Sequence, residues 1–210
     1  LIDLFYGFDA REEVGAHTFV SSVLHSTKET VRFTPVRGPQ KDGTNAFTYA
    51  RFDIPRLMGY RGFAIFADGS DMVCKGDIGD LWAMRSLFLA VQVVKHEYRT
   101  RNPRKYIGTG MEAKNEDYPR KNWTSLMLIN CAHYAWRRVD DRPHRLGFIP
   151  DDRIGSLPLA WNWLADEYGE NDEAKLLHWT AGIPAFEHYK DAPQSDEWVK
   201  AHARVNHADL

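Results

Sequence analysis

Gly62-Phe-Ala-Ile-Phe-Ala-Asp68-Gly-Ser-Asp71-Met-Val73 is the stretch whose reading decides the fold. Phe63 to Ala67 is a short, unbroken apolar run, which predicts a strand buried on both faces, as a parallel sheet under helices requires. Two carboxylates follow at once, separated only by Gly69 and Ser70. In open α/β sheets ligands bind beyond the carboxyl ends of the strands. Two acids there, beside small residues that let a ligand approach the backbone, suit a hard divalent cation holding phosphates. A plain turn, with Asp capping the next helix, is the competing reading of the same residues. Spacing alone does not separate the two.

Outward from this strand, elements alternate. Ile2 to Phe8 predicts a first strand ending in the polar cluster Asp9-Ala-Arg-Glu-Glu13. A helix pattern follows, with Val14, Ala16, Phe19, Val20, Val23 and Leu24 recurring at three and four, and Asp9 is placed to cap it. Val31 to Val36 predicts a second strand, and a Gly- and Pro-rich loop from Arg37 to Thr44 leads to a helical segment from Phe47 towards Leu57. Beyond the acids, Gly76-Asp77-Ile-Gly-Asp80 opens a short helix with its acids in the first turn, where the helix dipole favours them. Leu89 to Val94 and Leu126 to Asn130 predict buried strands, the latter followed by a helix through Tyr134 and Arg138. Between them, Lys95 to Lys121 is basic and without apolar periodicity, which suits a solvated loop or a mobile basic flap over a diphosphate. The last third alternates acids and aromatics. No internal repeat is present, and the expectation is one α/β domain over residues 1–210 whose C-terminal part completes the site.

The composition narrows the partners. With 210 residues, 43% of them hydrophobic, the chain can bury one substantial core. A formal net charge of -2 and a pI near 6.5 give no global field for nucleic acid or an anionic membrane. A charged substrate must therefore be met by local residues. Cys74 and Cys131 lie in or beside apolar segments and read as buried thiols of a reducing compartment. No apolar run approaches the ~20 residues of a membrane span, and no basic region followed by an apolar core opens the chain. A soluble, cytoplasmic protein is expected. Trp and Tyr are abundant and could stack on sugars or bases, although aromatics are also ordinary core material.

Three segments can share one site: Asp9 after the first strand, Asp68 and Asp71 after the central one, and His178 near the C-terminus. Asp with His is a workable ligand set for Mn²⁺ or Mg²⁺, the imidazole tilting the choice towards manganese. Gly182, four residues after His178, would let the backbone approach a phosphate. Neither a Gly-x-Gly-x-x-Gly, a P-loop, nor a Cys or His pair at zinc spacing occurs, and no Gly-x-Ser-x-Gly elbow supports a serine nucleophile.

In five blocks the chain resembles the GT-A-fold glycosyltransferases, particularly those similar to family 8, the retaining galactosyl- and glucosyltransferase-like group. Phe5-Tyr-Gly-Phe-Asp9-Ala-Arg-Glu12 resembles the first strand, and the resemblance implies that Asp9 contacts the nucleotide base. Tyr49-Ala-Arg51-Phe-Asp-Ile-Pro55 resembles the segment whose arginine reaches the donor. Ala64-Ile-Phe-Ala-Asp68-Gly-Ser-Asp71-Met72 resembles the metal-binding Asp-x-Asp strand. Asn122-Trp-Thr-Ser-Leu-Met-Leu-Ile-Asn130 is similar to the strand carrying a donor-sugar contact. Leu177-His178-Trp-Thr-Ala-Gly182-Ile-Pro184 is similar to the His-x-x-Gly block that supplies a further metal ligand. The chain departs from the pattern in three ways. Its acids are Asp-x-x-Asp, Asn122 stands one position early, and Ile183-Pro184-Ala185 replaces the family's lysine, leaving diphosphate charge to the metal and to Arg51 or the basic loop. For the family's catalytic carboxamide or carboxylate, Asp151 or Asp152 is the nearest match. The resemblance implies a Rossmann-like, mostly parallel sheet flanked by helices. It also implies metal-dependent, retaining transfer of a sugar from a nucleoside diphosphate donor, UDP-linked, with Asp71, His178 and Asp68 on the metal. A nucleotidyltransferase on the same layout, and a catalytically silent carbohydrate- or nucleotide-binding relic of the fold, are the rival readings.

Overall fold

The computed structural model describes residues 1–39 and 45–206, so part of the Arg37–Thr44 loop lies outside the described residues. Strands β1 (Ile2–Gly7), β2 (Val31–Val36), β3 (Phe63–Ala67), β4 (Met72–Cys74), β5 (Val91–Val93) and β6 (Arg104–Lys105) come first. β7 (Ala113–Lys114), β8 (Leu126–Asn130), β9 (Ile154–Ser156), β10 (Trp163–Leu164) and β11 (Leu176–His178) follow. The α-helices are α1 (Glu13–Ser26), α2 (Ile54–Leu57), α3 (Ile78–Ala83), α4 (Ala165–Tyr168) and α5 (Ser195–Asn206).

Six strands form the central sheet in the order β2-β1-β3-β8-β5-β9. The β1–β2, β1–β3 and β5–β9 ladders are parallel, and β8 runs antiparallel to both β3 and β5. The sheet is thus mostly parallel, with one reversed strand inside it. That reversal has a functional consequence. Residues just before β8 emerge at the same edge as residues just after β3, because Ala67 pairs with Leu126.

Both faces of the inner strands β1, β3 and β8 are apolar and follow the two-residue period of a strand. Ile2 and Leu4 of β1, Ile65 and Ala67 of β3, and Leu126 and Leu128 of β8 join one core with Phe19 and Val23 of α1. Phe5, Ala64, Phe66, Met127 and Ile129 point the other way, into a second core with Phe52, Ile54 and Trp136. This double burial is why the strands read as continuous apolar runs. A smaller cluster of Val73, Leu177, Trp179 and Trp198 seats α5. The amphipathic α5 was not anticipated from the sequence. The helix expected through Tyr134 and Arg138 is a 3-10 segment, and the expected helix before Leu57 is a 3-10 turn, Ala50–Asp53, running into α2.

A second, three-stranded sheet, β10-β11-β4, leans on the first. In it β11 pairs antiparallel with β4, His178 opposite Met72. The basic stretch Lys95–Lys121 is tied down. It carries the β6–β7 hairpin, and the Tyr106 amide donates to the Ala181 carbonyl at 2.7 Å. Cys74 and Cys131 are buried free thiols, and burial pushes them up to about 11 and about 12.

Candidate active site

The turn from Asp68 to Asp71 is built by local chemistry. The Ser70 amide donates to the Asp68 carbonyl at 2.8 Å and Met72 to Gly69 at 3.0 Å, a double turn that needs φ of +76° at Gly69. Helix α1 presses directly on it. A Cβ on Gly15 would fall 1.8 Å from the Ser70 carbonyl oxygen, so only glycine lets the helix approach so closely. The turn is therefore clamped between α1 and the sheet, and its two acids are delivered to the carboxyl edge.

The register of the small sheet brings the third member. Because His178 lies opposite Met72, its imidazole meets the carboxylate of the preceding residue, with Nε2 3.2 Å from Asp71 Oδ2. The Trp179 amide extends the ladder onto the Asp71 carbonyl at 3.0 Å. Ligand atoms from Asp68, Asp71 and His178 all lie within 4.8 Å of one another. Asp71 Oδ1 is buried with no hydrogen-bond partner, an unmet acceptor that a cation would satisfy.

Behind the histidine, Asn162 fixes the ring. Its Nδ2 donates to Ser125 Oγ at 2.8 Å and to the Asn122 carbonyl at 3.4 Å, which leaves Oδ1 to accept from His178 Nδ1 at 2.9 Å. With Nδ1 carrying its proton towards Asn162, Nε2 is the nitrogen offered to the site. A buried amide orienting a ligand histidine in this manner is a common support for a metal. The chemistry of this donor set, two carboxylates and one imidazole at the edge of a sheet, fits Mn²⁺ or Mg²⁺.

Asp68 and Arg51 form the other wall. Arg51 Nη1 lies 2.6 Å from Asp68 Oδ1 and donates to the Thr124 carbonyl at 2.8 Å, while Nε donates to the Thr48 carbonyl at 3.0 Å. The rings of Phe47 and Phe66 flank the guanidinium at 5.5 and 4.8 Å. Arg51 lines the cavity, and its polar atoms hold Asp68 and two carbonyls.

Several groups in and beside this site bind protons abnormally tightly. Burial raises Asp68 to about 6 against the pull of Arg51. Glu12, fully buried and accepting from Asn45 Nδ2 at 3.0 Å and Ser70 Oγ at 3.3 Å, is pushed up to about 8 by burial and by the Asp71 and Asp9 charges. Burial alone would lower His178, but Asp71, and behind it Asp68 and Asp166, raise it. A cation held by Asp68 and His178 would compete with their protons.

A cavity of about 420 Å³ opens over these residues, lined also by Asn45, Tyr49, Lys105, Tyr106, Asn122, Thr124, His144 and Thr180. That volume lies within the range of ligand sites. Asn122 lines it from a left-handed backbone position, its amide donating to the Tyr98 hydroxyl at 2.7 Å.

Four expected residues are placed elsewhere. Asp9 is buried and caps the turn after β1. Its oxygens accept from the Arg11 amide at 3.0 Å, from Arg11 Nε at 2.9 Å and Nη2 at 2.6 Å, and from the Ala46 amide at 3.0 Å. The Arg11 hydrogen bond holds its carboxyl down to about 2. Gly182 does not line the cavity, and the residue that exploits its missing side chain is Tyr189, whose Cε2 a Cβ would meet at 2.3 Å. Asp151 and Asp152 require correction as catalytic candidates. They stand in a 3-10 turn before β9, at the amino end of a strand parallel to β5 and so at the edge away from Asp68. Their side chains are 82% and 71% exposed, paired with Arg120 and Arg153.

Asn162 and Glu12 were not singled out from the sequence. Asn162 was visible only as the centre of Trp161-Asn-Trp163, and nothing in a lone amide announces a histidine partner sixteen residues on. The Thr124 and Thr48 carbonyls leave no sequence signal at all.

Solved glycosyltransferases share this fold. The galactosyltransferase LgtC in complex with donor and acceptor sugar analogs matches with a TM-score of 0.66 at 11% identity, over 99% of this chain and 97% of that one. The WbbM bifunctional glycosyltransferase matches at 0.70 and 13% identity over 96% of this chain, which spans only 49% of WbbM. GlyE of Streptococcus pneumoniae matches at 0.64 and 13% identity, over 98% of this chain and 63% of that one. By sequence, the chain is 29% identical to Protein CDI of Arabidopsis thaliana over 231 residues, 97% of this chain and 86% of that relative. No family model matches the chain. The GT-A fold implied by the five sequence blocks is the fold observed. No helix among the described residues is long and apolar enough to cross a membrane.

Proposed function

We propose that this GT-A-fold chain is a divalent-metal-dependent glycosyltransferase that moves a sugar from a nucleoside diphosphate donor, UDP-linked, to an acceptor. The observation that carries the reading is the convergence of Asp68, Asp71 and His178 at one end of the cavity, with a buried carboxylate oxygen left unpaired. Asp71 and His178 would hold the cation with Asp68 beside them. When bound, Mn²⁺ or Mg²⁺ supplies a Lewis acid that neutralises the departing diphosphate. The protein's own residues do the positioning. Asn162 keeps the His178 Nε2 lone pair turned to the site, and Arg51 keeps Asp68 from swinging into its neighbour.

Burial of this wall strengthens every charge interaction in it relative to water. Retention of anomeric configuration rests on the sequence resemblance. The two buried thiols support a reducing, cytoplasmic setting. A panel of UDP-, GDP-, ADP- and CDP-sugars, each with Mn²⁺ and with EDTA, tests the proposal. Release of nucleoside diphosphate with Mn²⁺ and none in EDTA is expected, with the product anomer read by NMR. Release of pyrophosphate from a sugar 1-phosphate and a nucleoside triphosphate would mean a nucleotidyltransferase. No turnover of any donor, with binding retained, would mean a silent relic.

A further inference from the structure

The charges placed in this cavity do not balance around a donor. A diphosphate together with Asp68 and Asp71 outweighs one divalent ion and Arg51 by roughly one negative charge. Arg51 is already engaged by Asp68, Thr48 and Thr124. Taking the glycosyltransferase reading as its basis, we infer that Lys105 is the side chain that binds the donor's diphosphate beside the cation.

Lys105 lines the cavity, is half-buried, and has no ion-pair partner among the described residues. It also stands near enough to Asp68 that its charge acts on that carboxyl. Elsewhere in the same basic stretch, Arg104 pairs with Glu112, Lys114 with Glu116, Arg120 with Asp151 and Lys121 with Asp117. Arg142 and Arg145 also line the cavity, but both are exposed and share their rim with Asp141.

The backbone around Lys105 is unusually well fixed for a surface loop. Its neighbour Tyr106 is buried and held at φ +57°, a left-handed conformation that bulky side chains rarely adopt. Three contacts enforce it: Tyr106 N to Ala181 O at 2.7 Å, Asn45 Nδ2 to the Tyr106 hydroxyl at 3.1 Å, and Ile107 N to the Tyr189 hydroxyl at 2.9 Å. On its other side, Lys105 pairs with Ala113 in the β6–β7 ladder. Strained, over-determined backbone next to a cation facing a cavity is a pattern of functional sites. Lys105 Nζ lies 5.5 Å from the centroid of the Tyr106 ring, so the fixed tyrosine steadies the ammonium.

Calorimetry on the full chain tests this, with UDP, GDP, ADP and CDP in Mn²⁺ against wild type, Lys105→Gln, which keeps most of the stem, and Lys105→Arg. Lys105→Gln is expected to weaken the tightest-binding diphosphate by roughly tenfold to a hundredfold, and Lys105→Arg to recover most of it. Binding of Mn²⁺ alone, read by EPR, and the melting temperature should be unchanged, which a merely structural lysine would not satisfy. If wild type binds a diphosphate and Lys105→Gln binds it equally well, Lys105 is not the contact and the glycosyltransferase reading stands. If wild type binds none of the four, the assignment of Lys105 and the reading it rests on both fall.

Discussion

Two pairs of aspartates border strands of the same sheet, and they have opposite environments. Asp68 and Asp71 follow β3, in a turn clamped by α1, and meet Arg51 and His178. Asp151 and Asp152 precede β9, in a turn at the other edge, and meet only Arg120 and Arg153 at the surface. The residue types are the same and both pairs adjoin strands of the central sheet. What differs is the end of the strand: β3 and β9 run the same way, and one pair follows its strand while the other precedes it. In a mostly parallel sheet the carboxyl edge collects loops that converge over a crevice, and the amino edge here leaves its acids in solvent. The one reversed strand, β8, breaks the sequence rule usefully, since it sends the residues before it, Asn122 to Ser125, to the productive edge.

The contrast can be tested by removing the partners that make the first pair special. Arg51→Ala should have the largest effect on the fold. It leaves a largely buried Asp68 without its ion-pair partner and two carbonyls without their donor, and breaking such a pair costs about 3–5 kcal/mol. Chemical denaturation checks it, and a loss under about 0.5 kcal/mol would mean that Arg51 behaves as a surface residue. Asn162→Ala should come next. It frees the His178 ring and weakens Mn²⁺ binding roughly tenfold to a hundredfold with the three candidate ligands intact. EPR titration of Mn²⁺ gives the affinity directly.

A smaller effect should appear in the pH dependence of the metal-free protein. Glu12 is raised from 4.5 to about 8 and His178 is raised from 6.5, so the native state binds these protons more tightly than the unfolded chain. Their stabilisation is complete below the unfolded values and is lost as pH rises through the folded ones. His96 and His144, lowered from 6.5 to about 3, act in the opposite sense, but only below about 6.5. Between about pH 6.5 and 8, therefore, the melting temperature in EDTA should fall, and Mn²⁺ should flatten the slope by replacing the protons. Melting curves across that window decide it. A temperature that rises with pH in EDTA would contradict the protonated-site picture.

The sequence made the core of this molecule legible because its strands are buried on both faces. Phe63–Ala67 and Leu126–Asn130 could hardly be anything but central. The Asp68, Asp71 and His178 set was legible too, but the reason it converges was not. The three-residue pairing of β11 with β4 closes a separation of more than a hundred residues and is too short to leave a periodic signal. Asp9 illustrates the opposite limit. Its capping role and its expected base contact call for the same residue at the same place, and only the four hydrogen bonds show which the conformation uses. Asp151 and Asp152 misled because an acid pair beside a strand looks alike at either end, and which end borders the cavity is a property of the assembled sheet.

The most direct test of the account compares those two pairs in one assay. Turnover of the best nucleoside diphosphate sugar in saturating Mn²⁺ is measured for wild type, Asp71→Asn, and the double variant Asp151→Asn, Asp152→Asn. Asn keeps the size of Asp71 but not the charge that would hold a cation, so that variant should lose roughly a thousandfold in rate. The double variant should keep the wild-type rate and melt within about 0.5 kcal/mol of it. Comparable turnover in Asp71→Asn and wild type, with the loss appearing in the double variant instead, would contradict the placement of the catalytic site at the carboxyl end of β3.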